Sequence, residues 1–192
     1  MNLANKLTVS RVFLTILFIF FIRQESLTFA VLATATFMLA SLTDYYDGYI
    51  ARKYNLVSDF GKLMDPIADK FLMLAAFLAF VRMNIVGDWM VVLILGREII
   101  ITGLRIFALS KQKVLAAEKG GKHKTVSQVA AIFIILGFII FKRSVTIISG
   151  WSEDVEFWWK VGINVSMLVT VALTLISGIS YVWRNRHLIK TQ

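Results

Sequence analysis

The chain has 192 residues, with 21 Lys and Arg against 12 Asp and Glu, a net charge of +9 and 58% apolar residues, and a mean hydropathy of +0.73. An apolar share well above the roughly 45–50% of soluble domains excludes disorder, a fibrous repeat and an ordinary soluble globule; it points to a membrane protein whose positive charge suits an anionic membrane face rather than nucleic acid. With no Cys and only His123 and His187, disulfides, thiolate chemistry and a His-rich metal site are excluded, so any metal must be held by oxygen.

A membrane span needs about 20 mostly apolar residues, and six stretches meet or approach that length. The first, Leu7–Ile22, is followed by Arg23-Gln24-Glu25 instead of a small-residue cleavage site, so it reads as a retained span rather than a signal peptide. The second, Leu27–Leu42, ends against Asp44 and Asp47, and the third, Leu63–Val81, opens with Asp65 and Asp69. The fourth, Trp89–Ser110, contains Arg97, Glu98 and Arg105. The fifth is Val126–Phe141 and the sixth Val161–Trp183. Several of these fall short of 20 residues, so their helices must extend into the polar flanks. The expectation is one all-α integral membrane domain over residues 1–192, with six transmembrane helices.

Basic residues orient such a bundle. Lys6, Arg11, Arg52, Lys53, Lys62, Lys111, Lys113, Lys119, Lys122, Lys124, Arg184, Arg186 and Lys190 fall on the termini and even-numbered loops, whereas Arg23, Arg82, Lys142, Arg143 and Lys160 fall on the odd-numbered loops. That distribution puts both termini in the cytoplasm. Glu153, Asp154 and Glu156 then sit in the outer fifth loop among Trp151, Phe157, Trp158 and Trp159. This segment fits either an interfacial aromatic belt or a plain solvated loop.

Ionisable groups inside a bilayer are costly and usually face a cavity or a partner. Asp44 and Asp47, three residues apart, lie about 60° apart on a helix, with Gly48 and Ala51 on the same stripe. Asp65 and Asp69 form an i, i+4 pair, with Gly61 one turn earlier. Both pairs belong to the cytoplasmic ends of adjacent spans, so four carboxylates converge. Their mutual repulsion calls for a cation, and an all-oxygen set favours Mg²⁺ or Mn²⁺. A structural ion network with Arg52, Lys62 and Lys70 is the competing reading.

Cations gather at the same depth. Glu98 reads as a salt-bridge partner for Arg97 or Arg105. Lys122 and Lys124, within Gly120-Gly121-Lys122-His123-Lys124-Thr125, fit either positive-inside anchors or an anion cradle at a helix N-terminus; His123 reads as a bystander. A carboxylate metal site beside a basic pocket, at the cytoplasmic membrane face, suits a lipid-linked pyrophosphate meeting a water-soluble anion.

The run Asp44-x-x-Asp47-Gly48-x-x-Ala51-Arg52, followed after eight residues by Gly61-x-x-x-Asp65-x-x-x-Asp69, resembles the complete signature of the CDP-alcohol phosphatidyltransferases. These are six-helix membrane enzymes, usually homodimers, that transfer a phosphatidyl group from CDP-diacylglycerol to an alcohol and release CMP. The resemblance implies that Asp44, Asp47, Asp65 and Asp69 hold two Mg²⁺ or Mn²⁺ ions, that Asp69 is the general base, and that Gly48, Arg52 and Gly61 bind the cytidine and pyrophosphate with Asp44. Tyr45-Tyr46 departs from the small or polar residues common there.

Three further stretches resemble the bacterial members that make phosphatidylglycerophosphate: Asn5-x-Leu7-Thr8-x-x-Arg11, Gly96-Arg97-Glu98 with Arg105, and Gly121-Lys122-x-Lys124-Thr125-x-x-Gln128. The resemblance implies sn-glycerol 3-phosphate as acceptor, an active site at the cytoplasmic face of the cell membrane, and Asn5, Thr8 and Arg11 on the CDP-diacylglycerol side. Arg97, Arg105, Lys122 and Lys124 are the cations left to hold the acceptor's phosphate. Other acceptors within the family (phosphatidylglycerol, inositol phosphate or serine) are the nearest alternative. A divalent-cation transporter is a remote one, since it would need polar groups along a whole path, and Leu27–Thr36 and Phe71–Val81 are almost wholly apolar.

Overall fold

The computed structural model describes the backbone of residues 3–54, 59–110, 120–148 and 150–186, and side chains within 10–43, 70–104, 106, 108, 123–148 and 150–186. Those residues form six α-helices: α1 (Leu3–Ile22), α2 (Leu27–Tyr54), α3 (Asp59–Arg82), α4 (Asp88–Ser110), α5 (Gly120–Ile148) and α6 (Glu153–Arg184). No strand occurs among them.

Each helix contains one of the six apolar stretches and continues into its polar flank. α2 runs past Leu42 through Asp44 and Asp47 to Tyr54, and α3 starts before Asp65. All four signature carboxylates therefore stand on helical backbone, not on loops. The fifth-loop reading needs correction, because Glu153, Asp154 and Glu156 form the first turn of α6, with Ser152 at the N-cap position. Counting apolar residues misses such a turn, although carboxylates there are favoured by the positive end of the helix dipole.

By length and composition the part His123–Ile148 of α5 and the whole of α6 can each cross a membrane, and Ser10–Ile22 and Leu27–Thr43 form shorter apolar stretches. The molecule is apolar outside as well as in. On α1, Phe13, Ile16 and Phe20 are exposed while Phe18 and Ile22 are buried, a pattern for a helix meeting lipid on one side and protein on the other. α1 packs on α2 and α3, α5 on α6 and α2, and α4 on α6. Ala30, Ala33 and Ala40 of α2 and Ala76 of α3 are fully buried; small residues let helix backbones approach where no hydrophobic effect drives them together. Phe37 anchors this core, its ring 5.7 Å from that of Phe18 and 5.5 Å, edge-on, from that of Phe133.

One end of the bundle is closed by side-chain contacts. Asn84, with φ 55°, caps α3: its N–H donates to the Val81 carbonyl and that of Ile85 to the Phe80 carbonyl, the paired bonds of a Schellman stop. Glu156 accepts from Lys142 (2.8 Å) and Trp151 Nε1 (2.6 Å) and pairs with Lys160 (2.8 Å). α5 and α6 are thereby tied together, while Asp44, Asp47, Asp65 and Asp69 lie towards the opposite end of the bundle.

Candidate active site

At that opposite end α2 presents Asp44 and Asp47, and α3 presents Asp65 and Asp69, on regular helix. Their i, i+3 and i, i+4 spacing on helical backbone keeps each pair on one face. The side chains of these four aspartates lie outside the described residues, as do those of Asn5, Thr8, Arg52, Lys62, Arg105 and Lys122 and the surroundings of Gly48 and Gly61. Among the described residues no group of three His, Asp or Glu gathers for a metal. The fit of a hard divalent ion to the four aspartates rests on their donor chemistry and helical spacing, and both suit Mg²⁺ or Mn²⁺.

Lys70 follows Asp69 directly on α3, so the described part of the site begins one residue, about 1.5 Å of helix rise, beyond the carboxylate set. Its Nζ lies 3.3 Å from Glu98 Oε2 and donates to Thr102 Oγ1 and, at 3.3 Å, to the Glu98 carbonyl. Glu98 is the hub. Its Oε1 accepts from Lys124 of α5 and from Arg97 Nη1 at 3.2 Å. Arg97 Nη2 donates to Ser177 Oγ of α6 at 2.8 Å. One carboxylate thus gathers three cations from α3, α4 and α5, and Arg97 carries the connection to α6.

The expectation that Glu98 pairs with a neighbouring arginine holds for Arg97. Among the described residues Lys70, one of the cations of the ion-network alternative for the aspartates, is engaged by Glu98 and Thr102. Lys124 is buried, whereas His123 is exposed. Arg11 is only 3% exposed and is not without a partner; burying a guanidinium is costly otherwise.

Sequence reasoning missed a polar stripe on α6. Thr170, Thr174, Ser177 and Tyr181 are buried, and Thr170 Oγ1 donates to the Ser127 carbonyl of α5 at 3.2 Å. Their spacing of four, three and four residues inside an apolar helix is the signal that could have found them. Gln128, one turn along α5 from Lys124, is 2% exposed, and its Nε2 has no partner among the described residues.

Residues 1–184 match the family model described as CDP-alcohol phosphatidyltransferase. The chain is 36% identical to the "CDP-diacylglycerol--glycerol-3-phosphate 3-phosphatidyltransferase" of Bacillus subtilis (strain 168), across 99% of this chain and 98% of that protein. It is 33% identical to the protein of the same name from Rickettsia bellii (strain RML369-C), across 94% of this chain and 93% of the relative. A "probable phosphatidylglycerophosphate synthase" of Mycobacterium tuberculosis (strain ATCC 25618 / H37Rv) is 34% identical, across 95% and 81%.

Proposed function

The chain belongs to the CDP-alcohol phosphatidyltransferase family, and from that premise we propose that it transfers the phosphatidyl group of CDP-diacylglycerol to sn-glycerol 3-phosphate, giving phosphatidylglycerophosphate and CMP. The observation that carries this reading is the near full-length similarity to relatives named for that reaction.

In the reaction, a hydroxyl of glycerol 3-phosphate attacks the phosphorus that bears the diacylglycerol. The bond from that phosphorus to the bridging oxygen breaks, and CMP leaves with the electron pair. Asp69 takes the hydroxyl proton. Asp44, Asp47, Asp65 and Asp69 would hold two Mg²⁺ or Mn²⁺ ions, which when bound neutralise pyrophosphate oxygens and hold the reacting groups in line. Gly48, Arg52 and Gly61, with Asn5, Thr8 and Arg11 from α1, bind the CDP-diacylglycerol. Gly48 and Gly61 let the nucleotide approach the helix backbone closely.

The acceptor brings its own phosphate and needs cations that the donor does not use. Arg97, Arg105, Lys122 and Lys124 supply them, with Glu98 holding Arg97 and Lys124 in position. Purified protein given CDP-diacylglycerol is expected to release CMP only when glycerol 3-phosphate is added, with glycerol, inositol phosphate or serine as poor substitutes. Equal release with any of these would overturn the acceptor assignment.

The setting is a multi-pass protein of the cell membrane, with six spans, both termini cytoplasmic, the site at the cytoplasmic face, and a homodimer as the working unit. The basic-residue distribution supports this orientation. The chain has no native Cys, so single Cys residues at Asn55 and Ser152 are unique labels and are expected to react with an impermeant maleimide from opposite sides. Labelling from one side would break the six-span arrangement.

A further inference from the structure

Between α4 and α6 lies a groove of about 930 Å³, near the upper end of the roughly 300–1,000 Å³ usual for ligand sites. Towards its outer end the walls are Val92, Leu93 and Leu175; further in they are Ile100, Ile179 and Val182. Ile179 is 67% exposed, so the groove opens sideways onto the apolar belt.

The charge in this groove is one-sided. Arg97 lines its middle and Arg186 its inner mouth; Arg186 follows the C-cap residue Asn185, and by helix rise the last residue of α6, Arg184, already lies about 9 Å beyond Gly178, the level of Arg97. Arg186 folds back over the Trp183 ring, 4.4 Å from its centroid, a cation–π contact at the kind of residue that marks a membrane interface. Arg97 is 9% exposed in its side chain. Its stem lies so close over Gly178 that a Cβ there would fall 2.9 Å from Cγ and 3.3 Å from Nε. That Nε is buried in the groove wall without a partner among the described residues. Behind it, Lys70, Arg97 and Lys124 share the carboxylate of Glu98, three cations to one anion among the described residues.

We propose that this groove is a binding site for one anionic phospholipid of the cytoplasmic leaflet, its phosphate held by Arg186 and drawn by the Arg97 charge and its acyl chains lying along α4 and α6 towards Val92 and Leu175. A positive inner end, an interfacial tryptophan and an apolar outer end match a phospholipid from headgroup to tail. A neutral lipid would leave the positive end unanswered, and a second copy of this chain would meet it with the same arginines. The site requires the membrane setting but not the transferase reading.

The test is native mass spectrometry of the full chain from nanodiscs containing equal amounts of dioleoyl phosphatidylglycerol and dioleoyl phosphatidylcholine. One phosphatidylglycerol per chain is expected to be retained, at least tenfold over phosphatidylcholine. Ile179→Trp, which fills the groove, is expected to abolish retention of either lipid, and Arg186→Gln to remove the preference while leaving some retention. Equal retention of the two lipids, or unchanged retention in both variants, overturns the proposal. So does efficient crosslinking of Ile179→Cys between two chains in membranes, which would make the groove a contact between copies. CMP release measured on the same samples keeps the two readings apart: a chain that turns over yet holds no anionic lipid loses only the groove site.

Discussion

Asp69→Asn is expected to lower CMP release from CDP-diacylglycerol by ~10²–10⁴-fold, the usual worth of a positioned proton acceptor, with a smaller rise in the metal requirement than the alanine variants of the other three aspartates show. Asparagine keeps the size of aspartate and one ligating oxygen but cannot take a proton from the attacking hydroxyl. Asp44→Ala, Asp47→Ala and Asp65→Ala each delete a hard oxygen ligand, so their losses should come with a higher Mg²⁺ or Mn²⁺ concentration for half-maximal activity. EDTA should abolish turnover and either ion restore it. Rates measured across a metal titration separate the two classes. Full activity of Asp69→Asn at saturating metal would remove it from the role of base.

What could be read in the sequence divides along physical lines. The existence of each helix follows from local hydropathy, and the carboxylate pairs follow from spacing, because i, i+3 and i, i+4 relations are fixed once a helix forms. The extension of α2 through Asp44 and Asp47 was legible from the shortness of its apolar stretch, whereas the start of α6 was not. α6 opens on the charged residues Glu153, Asp154 and Glu156, since an intrahelical hydrogen bond satisfies the backbone whatever the side chain outside. The Arg97–Glu98 contact joins sequence neighbours and was visible. Glu98 with Lys124, 26 residues away, and with Lys70, 28 residues away, depends on how α3, α4 and α5 pack. The Arg97–Ser177 bond spans 80 residues. No single-chain periodicity encodes such pairings, so the hub role of Glu98 emerged only with the fold.

That hub gives the other large expected effect. Glu98→Gln is expected to lower the melting temperature of the detergent-purified chain and to raise the KM for glycerol 3-phosphate at least tenfold, with the KM for CDP-diacylglycerol little changed. Glutamine preserves shape and one acceptor oxygen but takes from Lys70, Arg97 and Lys124 the carboxylate that they share. Arg97 and Lys124 are about nine-tenths buried in their side chains, so water screens their repulsion poorly, and removing one partner of a buried pair typically costs about 3–5 kcal/mol. Lys124, released from Glu98, no longer presents its ammonium at a fixed point, and a misplaced cation loses the acceptor phosphate before it affects the donor. Glu98→Asp keeps the charge on a shorter arm and should fall between native and Glu98→Gln. The double variant Glu98→Gln with Lys124→Gln removes one of the stranded cations along with their anion. Its melting temperature should therefore recover part of the loss, a coupling that purely local damage at either residue would not produce, while its KM for glycerol 3-phosphate stays high because Lys124 is gone. Strictly additive losses of stability, or a Glu98→Gln chain with native KM for both substrates, would show that Glu98 does not position the acceptor's cations.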